Sequence, residues 1–93
     1  MNGMIIVVRF KYPSNKNYLY FYRELKKIGC TREITDNYGM KLKLPKGLYF
    51  YPGCDFNTET LYERAQACSG DIEGVKIMVC QFSSWWGYLR MAS

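Results

Sequence analysis

The sequence predicts an α+β fold, and three observations carry that prediction. Two apolar stripes recur at helical spacing, alternating or β-branched stretches stand between and around them, and all of it fits within 93 residues. A chain of that length builds one domain, 1–93, because two cores would each fall below the size at which burial outweighs chain entropy. Hydrophobic residues make up 48% and aromatic residues 17%, enough for one modest core and too many for a disordered chain.

The elements follow in order. Met4 to Phe10 is β-branched and aromatic, with Ile5, Val7 and Arg9 on one face and Ile6, Val8 and Phe10 on the other, and reads as a central strand. Tyr12-Pro13-Ser14-Asn15 ends it. From Lys16 to Ile28 the spacing of Tyr18, Phe21, Tyr22, Leu25 and Ile28 is 3, 1, 3 and 3, one helical stripe, and Gly29 stands where a C-terminal cap belongs. On that stripe Tyr18 and Tyr22 read as packing residues. Thr31 to Thr35 has strand composition, and Asp36-Asn37-Tyr38-Gly39 is a turn signal. Met40, Leu42 and Leu44 then alternate with Lys41 and Lys43, Pro45-Lys46-Gly47 interrupts, and Leu48 to Tyr51 resumes as strand. A second helix, capped at Asn57 or Thr58, runs to about Ala67, with Leu61, Ala65 and Cys68 in register. Val75 to Gln81 is the last main strand. Ser83 or Ser84 caps a short terminal helix or turn holding Trp85, Trp86, Tyr88 and Leu89, where the tryptophans close the end of the core or, if exposed as a pair, mark an interaction site. The order β-α-β-β-α-β is the split βαβ, ferredoxin-like arrangement: a four-stranded antiparallel sheet, both helices on one face, the other face open.

Thirteen Lys and Arg stand against eight Asp and Glu, a formal charge of +5, and there is no histidine. Without imidazole there is no Ser-His-Asp or Cys-His nucleophile system, no His pair for cleaving RNA and no zinc site with nitrogen ligands. The start of the chain, Met1-Asn2-Gly3-Met4, has no basic region, and the apolar run to Val8 is too short for a signal peptide or a membrane span. A cytoplasmic protein with no membrane partner is expected. Cys30, Cys54, Cys68 and Cys80 are separated by 24, 14 and 12 positions, with no C-x-x-C pair, so they read as buried apolar residues or loop thiols. No D-x-D pair offers a metal site, and no cofactor is expected.

The positive balance suggests an anionic partner, nucleic acid first. Arg9 and Lys11 leave the first strand, while Lys41, Lys43 and Lys46 surround the third; such cations neutralise phosphates while aromatic faces stack on unpaired bases. Tyr49 and Tyr51 project from one side of their strand as a candidate platform. The alternative is that these lysines are ordinary solvated positions of an edge strand, where they discourage edge-to-edge pairing. Lys46-Gly47-Leu48-Tyr49-Phe50 overlaps the opening of the RNA-recognition-motif signature only at Lys46, Gly47 and Phe50, a match that chance explains. Cutting RNA through its 2′-hydroxyl needs a base, an acid and a charge stabiliser. Arg9, Lys11 or Arg23 can supply the last, and Asp36, Glu24, Glu33 or a tyrosine would have to supply the others.

Val7-Val8-Arg9-Phe10-Lys11-Tyr12-Pro13-Ser14, followed about 20 residues later by Ile34-Thr35-Asp36-Asn37-Tyr38-Gly39, resembles the GhoS-type antitoxins of type V toxin–antitoxin systems. The similarity runs on through the second helix, the last strand and the aromatic tail. It implies a ferredoxin-like domain of the shape shared with VapD and the small CRISPR-associated nucleases. The activity it implies is metal-independent, sequence-selective endoribonuclease cleavage of the mRNA of a small membrane toxin. Single-stranded mRNA would then be the partner, and the protein a monomer or homodimer. The resemblance assigns transition-state stabilisation to Arg23 and base stacking to Tyr49 or Phe50. With Arg9 and Asp36 completing the catalytic set, Lys11, Lys41 and Lys43 would grip phosphate. Lys11 stands where the family has an acidic residue, and the first-strand aspartate that holds metal in the CRISPR-associated enzymes is absent. A non-catalytic binding protein of the same fold is the alternative: an immunity protein, a protein-binding antitoxin, or a phage-encoded inhibitor of a nucleic-acid machine, docking through the open sheet face.

Overall fold

In the computed structural model, which describes residues 3–87 and 89–91, the first strand, β1 (Gly3–Phe10), lies in the middle of the main sheet. It pairs antiparallel with β4 (Leu48–Tyr51) on one side and along its whole length with β5 (Val75–Phe82) on the other. Side chains of a strand alternate between faces, so Met4, Ile6, Val8 and Phe10 all turn to one side. There they meet Phe21 and Leu25 of α1 (Asn15–Lys27), Leu61 and Ala65 of α2 (Thr58–Cys68), and Tyr49 and Tyr51 of β4. Both helices therefore cover one face, as the sequence predicts.

Each helix starts where a short polar side chain can satisfy a free amide. The Asn17 N–H donates to Ser14 Oγ at 3.1 Å, and the Thr60 N–H to Asn57 Oδ1 at 2.8 Å. Lys26 and Lys27 in the last turn of α1 complement its dipole, and Gly29, at φ 96°, turns the chain in the left-handed region open to glycine.

Two expectations fail on the other face. The sheet has three strands, not four: the place beside β4 is held by one bridge, Thr31 to Phe50, whose two N–H···O bonds are each 2.8 Å. Beyond Arg32 the chain leaves the sheet. There β2 (Glu33–Thr35) pairs with β3 (Lys41–Lys43), which pairs with β6 (Arg90–Met91), in a second small sheet. The expected open face is also half covered. Ile34 and Leu44 bury Phe50, with Ile5, Leu42, Leu48, Phe82, Trp85 and Leu89 packed around them. A face carrying Ile5, Leu48, Phe50 and Phe82 is too apolar to leave wet, and folding the hairpin over it removes that area from water. The expected terminal helix is instead an irregular stretch over 84–87 that leads to β6 and satisfies the outer edge of β3. Tyr88 and the Met1-Asn2 start lie outside the described residues.

Candidate nucleic-acid interface

Where the first half of α1, the base of the β2–β3 hairpin and the 44–48 loop meet, a cleft of about 410 Å³ opens, walled by Asn15, Tyr18, Arg32, Lys43, Lys46 and Tyr49 among others. The loop is held by Val8, whose N–H donates to the Gly47 carbonyl at 2.8 Å. Gly47 has φ +89°, and a Cβ there would sit 2.8 Å from the Val8 oxygen, which explains this glycine without a nucleotide-binding motif. Lys46 Nζ lies 4.5 Å from the Tyr18 ring centroid and donates to Asn15 Oδ1 at 3.3 Å. The Arg32 guanidinium lies 4.0 Å over the Tyr22 ring, which also carries the Lys26 ammonium at 5.1 Å and stacks with Tyr49 at 6.0 Å. The result is a cluster of cations around the Tyr18, Tyr22 and Tyr49 rings. No carboxylate lines the cleft, and among the described residues the one ion pair is Lys27 with Glu24, remote from it.

The structure redistributes the residues singled out from the sequence. Tyr49 is 2% exposed and Phe50 6%, the first under the helices and the second under the small sheet, so neither ring offers a free face to a base. A short strand packed on both faces has no surface left for a stacking platform, and Tyr51 is buried likewise. Tyr49 nevertheless reaches the floor of the cleft. Burial, then the neighbouring Tyr18, pushes its phenol up to about 12 against the opposing pull of Arg32, so it stays protonated. Lys43 lines the cleft, and Lys41 projects from the same side of β3 two residues on.

Arg9, Arg23 and Asp36 do not converge. Arg9 is on the face of β1 away from α1 and pairs across the sheet with Lys76; with Lys11 these cations border a separate hollow of about 680 Å³. Arg23 is on the solvent side of α1, beyond the main sheet from Arg9. Asp36 builds the hairpin turn: its Oδ1 accepts from the Tyr38 and Met40 N–H groups, both at 2.9 Å. Three groups on three surfaces cannot act on one phosphate.

Sequence reasoning missed Arg32; its reading of Tyr18 and Tyr22 as packing residues holds, both being partly buried against the core with Tyr18 edge-on to Phe10 at 4.6 Å, and Tyr18 lines the cleft as well. The legible signal was the i, i+4 spacing of Tyr18 and Tyr22, a row at the margin of the buried stripe. Cys30 and Cys68 are buried and Cys54 and Cys80 exposed, all four free. Among the described residues no cluster of three or more Cys, Asp or Glu side chains is placed to hold a metal ion, and no helix is long and apolar enough to cross a membrane. Fold and cleft together define a small two-sheet α+β domain, only roughly ferredoxin-like, with a basic cleft floored by aromatic rings. No family model, no curated protein and no solved structure matches the chain.

Proposed function

We propose that this protein binds single-stranded RNA in the cleft between α1 and the β2–β3 hairpin, as an antitoxin of the GhoS-like kind acting on a toxin's message. One observation carries the reading: Arg32, Lys43 and Lys46 line one cleft together with the Tyr18 ring, and no carboxylate lines it, Glu33 lying across the strand pair from Lys43 without an ion pair to it. Cations next to aromatic faces are what a flexible anionic polymer with stacking bases needs. An incoming phosphate draws the Lys46 ammonium off the Tyr18 ring and frees that face for a base. The +5 balance and the two strings around Phe10 and Asp36 support the same partner.

Binding is better supported than cutting. The cleft's cations can stabilise a phosphorane, and the protonated Tyr49 phenol can donate a proton, but nothing in the cleft is a base for the 2′-hydroxyl. An antitoxin built this way occludes its message. The test is fluorescence anisotropy of a labelled RNA oligomer over a range of salt. Three phosphate contacts on a single strand predict a log–log salt slope of about −2, and Lys43→Ala with Lys46→Ala together reduce it to about −0.7. Absence of binding at low salt, or a slope that the double variant leaves unchanged, overturns the reading. Incubating the transcript of the neighbouring gene in EDTA tests cleavage; a cut that Arg23→Ala abolishes restores that arginine's catalytic role.

One observation favours a protein partner as a second reading. The part of the main sheet left uncovered presents Met78, 56% exposed, between Lys76 and the exposed Cys80. A stoichiometric protein captured by the wild type and lost with Met78→Asp, with no RNA bound, would establish it.

A further inference from the structure

The hollow of about 680 Å³ at the end of β1 is bordered by Arg9, Lys11 and Lys76, and no carboxylate lines it. Arg9 and Lys76 are direct partners in the β1–β5 register, so the two cations stand side by side on the face away from the helices. Like charges directly opposite one another destabilise a strand pair. Nothing offsets that here: none of the three cations has an ion pair among the described residues, and Glu73, the neighbour of Gly74 in the chain, does not line the hollow. Lys11 is fixed alongside. Its N–H donates to the Gly74 carbonyl at 3.0 Å, and its stem lies over Gly74, where a Cβ would stand 2.5 Å from Lys11 Cβ. Three unpaired cations gathered on one hollow attract an anion.

Position tells which anion. The Val8 N–H bond to the Gly47 carbonyl carries the β1–β4 ladder one step beyond Val7 and Leu48, and the next residues on the two chains are Arg9 and Lys46. Lys46 of the first cleft and Arg9 and Lys76 of the hollow thus stand on three adjacent chains at one end of the main sheet, about 10 Å across. The loop beside them presents Tyr12, 58% exposed, with Lys11 Nζ 5.4 Å from its ring centroid, the same cation-on-ring pairing that Lys46 makes with Tyr18. That loop is tied to the cleft, because the Asn17 side-chain amide donates to the Tyr12 carbonyl at 3.1 Å while Lys46 donates to Asn15 Oδ1. Cations on both sides of an exposed ring suit a chain that carries phosphates and bases in alternation. The hairpin tip lies off this path: Trp85 packs into the core and Trp86 stands fully exposed, but the hollow beside them is lined by Asp36 and by no cation.

We propose that the RNA held in the cleft continues over this end of the main sheet, stacking one base on Tyr12 and setting its next phosphates against Arg9, Lys11 and Lys76; the proposal rests on the RNA-binding reading above. One strand is then gripped at two basic stations, the first beside α1 and the second on the opposite face of the sheet.

The test compares, by anisotropy, labelled RNA oligomers of about four nucleotides, which fill the cleft, and of about ten, which reach the hollow as well. Three phosphate contacts give the short oligomer a log–log salt slope of about −2, and six give the long one about −4. Lys11→Ala with Lys76→Ala leaves binding of the short oligomer unchanged and brings the slope of the long one to about −3. Tyr12→Ala weakens the long oligomer about 5- to 100-fold and the short one not at all. All three side chains are exposed, so the variants keep the wild-type circular dichroism. If both lengths bind with one slope, or the double variant leaves the long oligomer untouched, RNA binding in the cleft stands and the continuation is overturned. Displacement of the long oligomer by polyglutamate as readily as by unlabelled RNA overturns it too, since an acidic peptide offers no base to Tyr12. If wild type binds neither length, the RNA reading falls and the continuation with it.

Discussion

Replacing Tyr49 with phenylalanine removes one oxygen from the floor of the basic cleft, and its consequence for stability can be worked from the structure. An unfolded tyrosine ionises near pH 10. In the folded protein burial raises this phenol to about 12. Between those values the folded chain keeps a proton that the unfolded chain has released, so stability falls as pH rises, at up to about 1.4 kcal/mol per pH unit. The contribution is fully present below about pH 10 and gone above about pH 12, a loss of roughly 2 to 3 kcal/mol. Other groups titrate in the same direction: burial lifts Cys30 to about 12 and raises Tyr51 and Cys68. Wild type and Tyr49→Phe share those losses, so only the difference between them reports Tyr49. The assay is urea denaturation followed by circular dichroism at half-unit steps from pH 8 to pH 12. The wild type should lose roughly 2 to 3 kcal/mol more than the variant above pH 10. Parallel curves across the whole range would refute the placement of a buried, protonated phenol beside Arg32.

Two further predictions rest on packing. Short exposure to iodoacetamide at pH 8 should modify Cys54 and Cys80 and spare Cys30 and Cys68, which are buried and held as thiols, until denaturant opens the core; peptide mass spectrometry reads the pattern. Gly47→Ala places a Cβ against the Val8 carbonyl in a backbone conformation that L-residues avoid, and should cost about 1 to 3 kcal/mol, seen as a fall in Tm of roughly 4 to 8 °C per kcal/mol.

The legibility of the fold follows from the range of the forces involved. The Met4 to Phe10 strand, both helices and their caps, and the buried stripe of Phe21 and Leu25 were readable because each depends on neighbours within a few residues. The alternation of Lys41, Leu42 and Lys43 likewise predicted a strand, and β3 is one. Its partners were not readable. Thr31 to Thr35 has strand composition whether it extends the main sheet or leaves it, and only the apolar area of Ile5, Phe50 and Phe82 decides that Ile34 and Leu44 cover that face. The same event buried Phe50 and covered half of the face expected to be open. The candidate site suffered similarly. Lys43 was visible as a cation, but Arg32 and Tyr18 join it across more than ten residues of chain, a meeting that no local pattern records.

By itself, then, the sequence determined β1 to β5 and both helices as local elements, the core between the helices and β1, and the excess of cations over carboxylates with no imidazole among them. The tertiary structure decided where the charge gathers. Arg9 and Lys11 were sent to one hollow, Arg23 to open solvent and Asp36 to a turn, while Arg32, Lys43 and Lys46 were brought onto one aromatic floor. The reason is physical: hydrophobic periodicity is written along the chain, whereas the choice of which apolar faces to cover is a competition among distant surfaces, and the charged residues go where its outcome carries them.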